Sequence, residues 1–146
     1  MKPLKLAVSI LLPLIAGFAG SFFTSSAWYQ ALDKPFFSPP SWVFGPVWTS
    51  LYILMGISFY LIWTSGRSIG VPSAVFLVQL GLNAVWSPLF FGLRNPLLAF
   101  IDLALLWIAI IATIILFYRI DRRAAYLLIP YILWVSFAGL LNWWFV

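Results

Sequence analysis

Five long apolar stretches constrain the fold of this chain more than any other feature. They cover residues 6–23, 43–64, 71–93, 96–118 and 124–146, and all but one of the charged residues lie outside them. A helix needs about 20 mostly apolar residues to cross a bilayer. Because the stretches lack the alternation of a barrel and lipid satisfies no backbone polar groups, we expect helices. The sequence therefore predicts an all-α membrane protein, a single five-transmembrane-helix domain over residues 1–146.

The composition excludes several other classes of protein. Hydrophobic residues make up 64% of the chain and charged residues only 8%, against about 25% charged residues in a soluble domain. The net charge of +5 is small, and we expect no nucleic-acid partner. The chain has no cysteine and no histidine. We therefore expect no disulfide framework, no metal site and no histidine ligand to haem iron.

The basic residues predict the orientation of the bundle. Six of them, at positions 2, 5, 67, 119, 122 and 123, fall on one predicted side, and two, at 34 and 94, fall on the other. Cytoplasmic loops carry the excess of lysine and arginine. We expect a multi-pass protein of the cytoplasmic membrane with a cytoplasmic N-terminus and its C-terminus outside.

The first loop, Trp28 to Gly45, is long and stiffened by proline at 35, 39 and 40. It also carries aromatic residues at 28, 29, 36, 37 and 42. Long structured loops tend to be lids or binding segments, whereas scattered aromatic rings at this depth are also typical of an interfacial belt. The proline content favours an ordered loop that contributes to a binding site.

Three spans carry aromatic and amide residues at helical spacing. The stripes are Trp48, Tyr52, Met55 and Phe59 in the second span, Gln79, Asn83 and Trp86 in the third, and Trp134, Ala138, Leu141 and Asn142 in the fifth. Residues three and four apart share one helix face. Each stripe alone is compatible with simple helix packing. Turned inward together, they predict a pocket with apolar walls and a few orienting amides, as small-molecule sites have.

Asp102 is the one acidic residue inside a predicted span. An intramembrane carboxylate is a candidate for function, including proton coupling. It lies near the start of its helix, where the helix dipole and a nearby basic or amide group can satisfy it. We therefore favour a structural role for Asp102.

Proline occurs in every span and shapes these helices. Pro96 follows Asn95, which predicts a helix that begins with an asparagine cap and a proline in its first turn. Pro13 and Pro130 lie further inside their predicted spans, so we expect them to kink both helices. Such prolines either shape a cavity or are simply tolerated in membrane helices.

Several exact motifs, in order along nearly the whole chain, resemble one family. They are Trp28-Tyr29, Lys34-Pro35, Pro39-Pro40, Phe44-Gly45-Pro46-Val47-Trp48 with Leu51-Tyr52, the run from Asn83 to Gly92, and Tyr131, Trp134, Ala138 and Asn142. On these residues the chain is similar to the tryptophan-rich sensory protein/translocator protein family (TspO/MBR), also called peripheral-type benzodiazepine receptors.

The resemblance implies a homodimeric five-helix receptor or sensor that binds porphyrins, such as protoporphyrin IX, and benzodiazepine-type ligands beneath the first loop. It implies no required cofactor, with porphyrin as ligand. Eleven residues form the candidate ligand-binding set: Trp28, Tyr29, Pro39, Phe44, Trp48, Tyr52, Asn83, Trp86, Trp134, Ala138 and Leu141.

Two further implications concern activity. Some members are thought to promote light-dependent breakdown of protoporphyrin through tryptophans that match Trp48 and Trp134, so these two are candidate catalytic residues. The alternative is a transporter of porphyrins or similar lipophilic molecules. Sterol-binding members carry a tyrosine and a basic residue at the end of the fifth helix, where this chain reads Asn142 to Val146 without either. That departure favours a bacterial member without cholesterol transport.

Overall fold

The spacing of apolar residues produces a chain built almost wholly of helices. The computed structural model describes residues 2–21 and 27–146. Its α-helices are α1 (Pro3–Ser21), α2 (Ala27–Gln30), α3 (Phe44–Trp63), α4 (Gly70–Ser87), α5 (Pro96–Tyr118), α6 (Arg122–Leu127) and α7 (Ile129–Trp144). A 3₁₀ turn, Ser41–Val43, precedes α3, and a π-helical turn, Pro88–Gly92, follows α4.

Five helical segments in the described ranges are long and apolar enough to cross a membrane. They are Pro3–Gly20, Ser41–Trp63, Gly70–Gly92, Pro96–Tyr118 and Arg122–Trp144. The predicted all-α class with five spans is confirmed, and most span boundaries lie within three residues of the predicted ones. The predicted end of the first span, at residue 23, lies outside the described residues. The orientation of the bundle in the membrane stays a prediction.

The spans form a ring in which helix contacts are uneven. Helix α1 packs on α3 and α4, α4 packs on α5, and α5 packs on both α6 and α7. A close crossing joins α1 and α3 at Gly56, where an added Cβ would lie 2.5 Å from Ile10 Cα and 2.7 Å from the Ser9 carbonyl oxygen. Only glycine allows the two backbones to approach this far.

The half of the bundle near α6 is a solid core. Met55, Ile62, Phe76 and Phe117 are fully buried there, and Phe59 stacks on Phe76 with ring centroids 4.9 Å apart. Met55 and Phe59, the last two residues of the second-span stripe, therefore pack in this core. Helix α6 is fastened to α3 by a hydrogen bond of 2.7 Å from Ser58 Oγ to the Ala124 carbonyl oxygen.

Proline positions explain the irregular parts of the spans. Pro130 lies in the first turn of α7 rather than deep in a continuous helix, because the fifth span is broken at Leu128. Pro13 lies inside α1, and Pro88 begins the π-helical turn. The predicted cap of the fourth span is confirmed, since Asn95 Oδ1 accepts a 3.0 Å hydrogen bond from the Leu98 amide.

Candidate ligand-binding cavity

A cavity of about 770 Å³ lies inside the ring of spans, on the side of the first loop. Its size falls within the range of small-molecule sites, about 300–1,000 Å³. Nine of the eleven predicted ligand-binding residues line it: Tyr29, Phe44, Trp48, Tyr52, Asn83, Trp86, Trp134, Ala138 and Leu141. The structure thus brings together the inward faces of α3, α4 and α7, as the stripes predicted.

The other two predicted residues lie away from the cavity lining. Trp28 packs its ring against Phe90 at 5.5 Å, so it supports a residue that lines the cavity. Pro39 belongs to the extended segment before the 3₁₀ turn and is absent from the lining. Both residues belong to the first loop and do not form part of the cavity surface.

Aromatic rings form one wall of the cavity. Trp48 stacks on Tyr52 with centroids 5.6 Å apart and an interplanar angle of 26°. Trp134 meets Trp48 edge to face at 6.5 Å and Phe44 at 5.9 Å. Such offset and perpendicular contacts each stabilise the wall by about 0.5–1.5 kcal/mol. The candidate catalytic pair, Trp48 and Trp134, therefore shares one wall.

A chain of hydrogen bonds runs beneath this wall. The Tyr52 hydroxyl donates to Asn83 Oδ1 at 2.7 Å, and Asn83 Nδ2 donates to the Tyr131 hydroxyl at 2.8 Å. Tyr131 in turn donates to Gln79 Oε1 at 2.7 Å. Tyr131, Gln79 and Asn83 are all buried. The chain fixes the floor of the cavity, because a buried polar network holds its members in one arrangement.

The opposite wall is held by the second amide, Asn142. Its Oδ1 accepts a 2.9 Å hydrogen bond from Trp86 Nε1, and its Nδ2 donates to the Pro96 carbonyl oxygen at 2.9 Å. Phe90, brought round by the π-helical turn, stacks on Trp86 at 5.0 Å. Asn83 and Asn142 are the amides predicted to orient a ligand. In each of them the oxygen and the nitrogen are both hydrogen-bonded within the protein.

Trp134 Nε1 is the exception among the polar atoms of the wall. It is buried and has no hydrogen-bond partner among the residues that the structure describes, and its indole lines the cavity. A buried donor without a partner costs about 1–3 kcal/mol. An acceptor on a bound molecule would remove that cost once the indole turned to present Nε1 to the cavity.

The first loop covers the end of the cavity. Trp144 Nε1 donates to the Asp33 carbonyl oxygen at 3.0 Å, and Lys34 Nζ donates to the Tyr29 carbonyl oxygen at 3.0 Å while lying 4.6 Å from the Tyr29 ring centroid. Burial raises the pKa of Tyr29 above its ordinary value, and a hydrogen bond with Ser38 opposes that shift. The loop is therefore an ordered cover, as predicted.

Asp102 lies outside the cavity lining. It is 7% exposed, and its Oδ2 is buried with no hydrogen-bond partner in the described residues. The basic or amide partner expected for it is not found there. Asp102 is the seventh residue of α5, beyond the first turn where the helix dipole acts most strongly.

Two residues that position the cavity were not among the predicted site residues. Tyr131 lies three residues before Trp134 on α7. This helical spacing is a sequence signal that both residues share the inward face. Gly17 of α1 faces Tyr52, and a Cβ built on it would overlap the Tyr52 ring. The small residues Ala16, Gly17 and Gly20 indicate close helix packing in the first span, but the side chain that Gly17 meets depends on how α1 crosses α3.

Comparisons with known proteins agree with this architecture. A model of the TspO/MBR family matches residues 9–146. The chain is 50% identical to "Tryptophan-rich protein TspO" of Archaeoglobus fulgidus, over 97% of this chain and 95% of that protein. It is 40% identical to the human "Translocator protein", over 91% of this chain and 83% of that protein. It is 35% identical to "Tryptophan-rich sensory protein" of Cereibacter sphaeroides, over 84% of this chain and 77% of that protein. The chain belongs to the TspO/MBR family.

Proposed function

We propose that this protein is a membrane receptor or sensor that binds porphyrins, including protoporphyrin IX, and benzodiazepine-type ligands in the cavity of about 770 Å³. The observation that carries the proposal is the aromatic wall of Trp48, Tyr52 and Trp134, which faces a hollow of ligand size. Flat conjugated molecules bury large apolar faces and stack favourably on such rings.

The unpaired indole nitrogen adds a polar requirement to this apolar site. Because Trp134 Nε1 has no partner in the described residues, the bound molecule should carry a hydrogen-bond acceptor near this wall. Benzodiazepine-type ligands offer a carbonyl group and porphyrins offer carboxylates. The chain contains no histidine or cysteine, so we expect the protein to hold the ring system rather than a central metal. Porphyrin is in this view a ligand and not a resident cofactor.

Quenching of tryptophan fluorescence by protoporphyrin IX, in detergent or nanodiscs, tests the proposal. Ala138 lines the cavity, whereas Leu140 of the same helix is 63% exposed on the outer face. We expect Ala138→Phe to raise Kd at least tenfold, because the ring fills the hollow, and Leu140→Phe to leave it unchanged. Equal affinity of the two variants would place binding outside this cavity.

The edge-to-face pair of Trp48 and Trp134, 6.5 Å apart, favours a second activity at the same site. A photoexcited porphyrin takes one electron from an indole, giving an indole radical cation and a porphyrin radical anion. The radical cation passes its N–H proton to the radical anion, and the two neutral radicals couple through one new covalent bond, which interrupts the conjugation of the macrocycle. We propose that this light-dependent chemistry leads to loss of protoporphyrin. Illumination in air should bleach the porphyrin spectrum faster with the native protein than with a variant carrying Trp48→Phe and Trp134→Phe. Equal decay at matched porphyrin occupancy would exclude a role for the pair.

The homodimer implied by the family resemblance is also a proposal. Light scattering of the protein in detergent, with the detergent mass subtracted, measures the number of chains. A mass of about 33 kDa, twice that of the 16.5 kDa chain, is the expected result, and a mass of one chain contradicts it.

A further inference from the structure

A second, apolar hollow lies on the outer side of Trp134. This groove is lined by Val47 and Leu51 of α3 and by Pro130, Leu133, Trp134 and Phe137 of α7. Its Trp134 indole also lines the interior cavity. The Trp134 side chain therefore lies between the cavity and a groove that opens between two spans toward the lipid.

The backbone leaves this seam between α3 and α7 unsealed. Helix α3 packs chiefly on α1 and α6, and α7 packs chiefly on α5. On the α6 side of the break at Leu128, α6 closes the gap and is fastened to α3 through Ser58. On the other side of the break, α3 and α7 meet through side chains rather than through close helix packing.

The seam is closed by aromatic rings that can rotate. Phe44 and Trp48 of α3 meet Trp134 of α7 at centroid distances of 5.9 and 6.5 Å. Side-chain rotamer changes take picoseconds to nanoseconds when exposed, whereas separating packed helices takes microseconds or longer. These half-buried rings can therefore turn without a separation of the two helices.

Trp134 differs from three tryptophans of the bundle whose indole nitrogens are held by hydrogen bonds. Trp86, Trp107 and Trp144 each donate an indole hydrogen bond, to Asn142, Ser136 and Asp33 respectively. Trp134 Nε1 has no such partner in the described chain. No hydrogen bond therefore has to break when this indole turns.

The loop side offers a harder route. The described part of the cover is tied to α7 by the bond from Trp144 to Asp33, and Phe37 of the loop packs on Phe137 and Trp144 with centroids 6.3 and 6.4 Å away. Entry beneath this part of the loop requires these contacts to break. A flat apolar ligand, moreover, is concentrated in the lipid rather than in water.

From these observations we propose that the seam between α3 and α7 is a lateral portal, gated by the Trp134 indole, through which flat lipophilic ligands pass between the bilayer and the cavity. This inference rests on the proposed ligand-binding function. In this proposal the outer groove is a transient binding site for a planar hydrophobic molecule dissolved in the membrane.

Binding kinetics of protoporphyrin IX in nanodiscs test the portal. Leu133 lines the groove but not the cavity and is 65% exposed, and Leu140, outside both hollows on the same helix, is 63% exposed. We expect Leu133→Trp to slow association and dissociation together by at least fivefold, with Kd within twofold, since it obstructs the path and not the site. Leu140→Trp should leave both rates unchanged.

Val47→Trp, on the opposite side of the groove, provides a second obstruction if Leu133→Trp folds poorly. Rates within twofold of the native protein for a folded obstructing variant would overturn the portal. So would a change in Kd without a change in the association rate, because it would show that the substitution acts on the bound state.

A second readout separates failure of the portal from failure of the proposed function. If the native protein does not bind protoporphyrin, the proposed function is rejected, and the portal is then tested with a thiol in the cavity. The chain has no cysteine, so Ala138→Cys gives one reactive position, labelled in liposomes by the membrane-soluble probe N-ethylmaleimide. Leu133→Trp should slow this labelling at least fivefold and Leu140→Trp should not. Equal labelling rates of the two variants would overturn the portal.

Discussion

Gly17 is the position where one added methyl group should disturb the cavity most directly. A Cβ at this residue of α1 would overlap the ring of Tyr52. Tyr52 donates to Asn83 at 2.7 Å and stacks on Trp48 at 5.6 Å, so it cannot move aside without losing both contacts. The Gly17→Ala substitution is therefore expected to act through the displacement of one side chain.

The magnitude follows from three contributions. Forcing an extra methyl group into a packed site costs about 1–3 kcal/mol. Displacing the Tyr52 hydroxyl leaves Asn83 Oδ1 without its donor, which costs about 1–3 kcal/mol more. Alanine is better than glycine within a helix by about 1 kcal/mol. Taking middle values, we expect the free energy of unfolding to fall by about 3 kcal/mol.

Unfolding of the purified protein in detergent, followed by circular dichroism, measures this change. Gly139→Ala is the matched control, because its Cβ would lie 3.8 Å from Leu103 Cδ2, an ordinary contact, so its stability should equal or exceed that of the native protein. The same Gly17→Ala substitution in a Tyr52→Ala background should cost little, since the obstructing ring is gone. An equal loss of stability in both backgrounds would refute the reasoning.

Three other substitutions have clear expectations. Gly56→Ala should destabilise the protein by about 3 kcal/mol, because its Cβ would lie 2.5 Å from the backbone of α1; an unchanged unfolding transition contradicts this. Asp102→Asn should leave the unfolding temperature equal or higher, since it removes a charge from a buried carboxylate whose Oδ2 has no partner in the described residues; a lower temperature would reveal a partner. Trp144→Phe removes the hydrogen bond to Asp33, which is worth about 1 kcal/mol. Chymotrypsin should then cleave the first loop several-fold faster, as measured by mass spectrometry. An unchanged cleavage rate would mean that other contacts hold the loop.

The sequence predicted the spans well because the thickness of the bilayer dictates their length. The fourth span, Pro96–Tyr118, agrees with the prediction at both ends, since Asn95 and Pro96 give an explicit start and Arg119 follows its last residue. The break in the fifth span was not predicted. Pro130 shows that a helix is disturbed nearby, but where the helix breaks depends on the packing of α6 against α3.

The stripes predicted which helix faces turn inward but not how deep each residue lies. Tyr52 reaches the cavity, whereas Met55, less than one turn further along the same stripe, is fully buried in the core. Trp28 and Pro39 carry the family motif equally well, yet neither lines the hollow. Periodicity specifies direction around a helix axis, and only the tertiary packing decides what lies opposite.

The hydrogen bonds inside the bundle decide which atoms remain free to recognise a ligand. Asn83 and Asn142 each use both amide atoms within the protein, so neither can bind a ligand without breaking an internal bond. Trp134 Nε1 is buried and has no partner in the described residues, and the indole that carries it lines the cavity. On the proposed route this same freedom lets the indole turn as the ligand enters. A ligand acceptor that then pairs with Nε1 would hold the indole across the seam, so that recognition of the ligand and closure of the portal become one event.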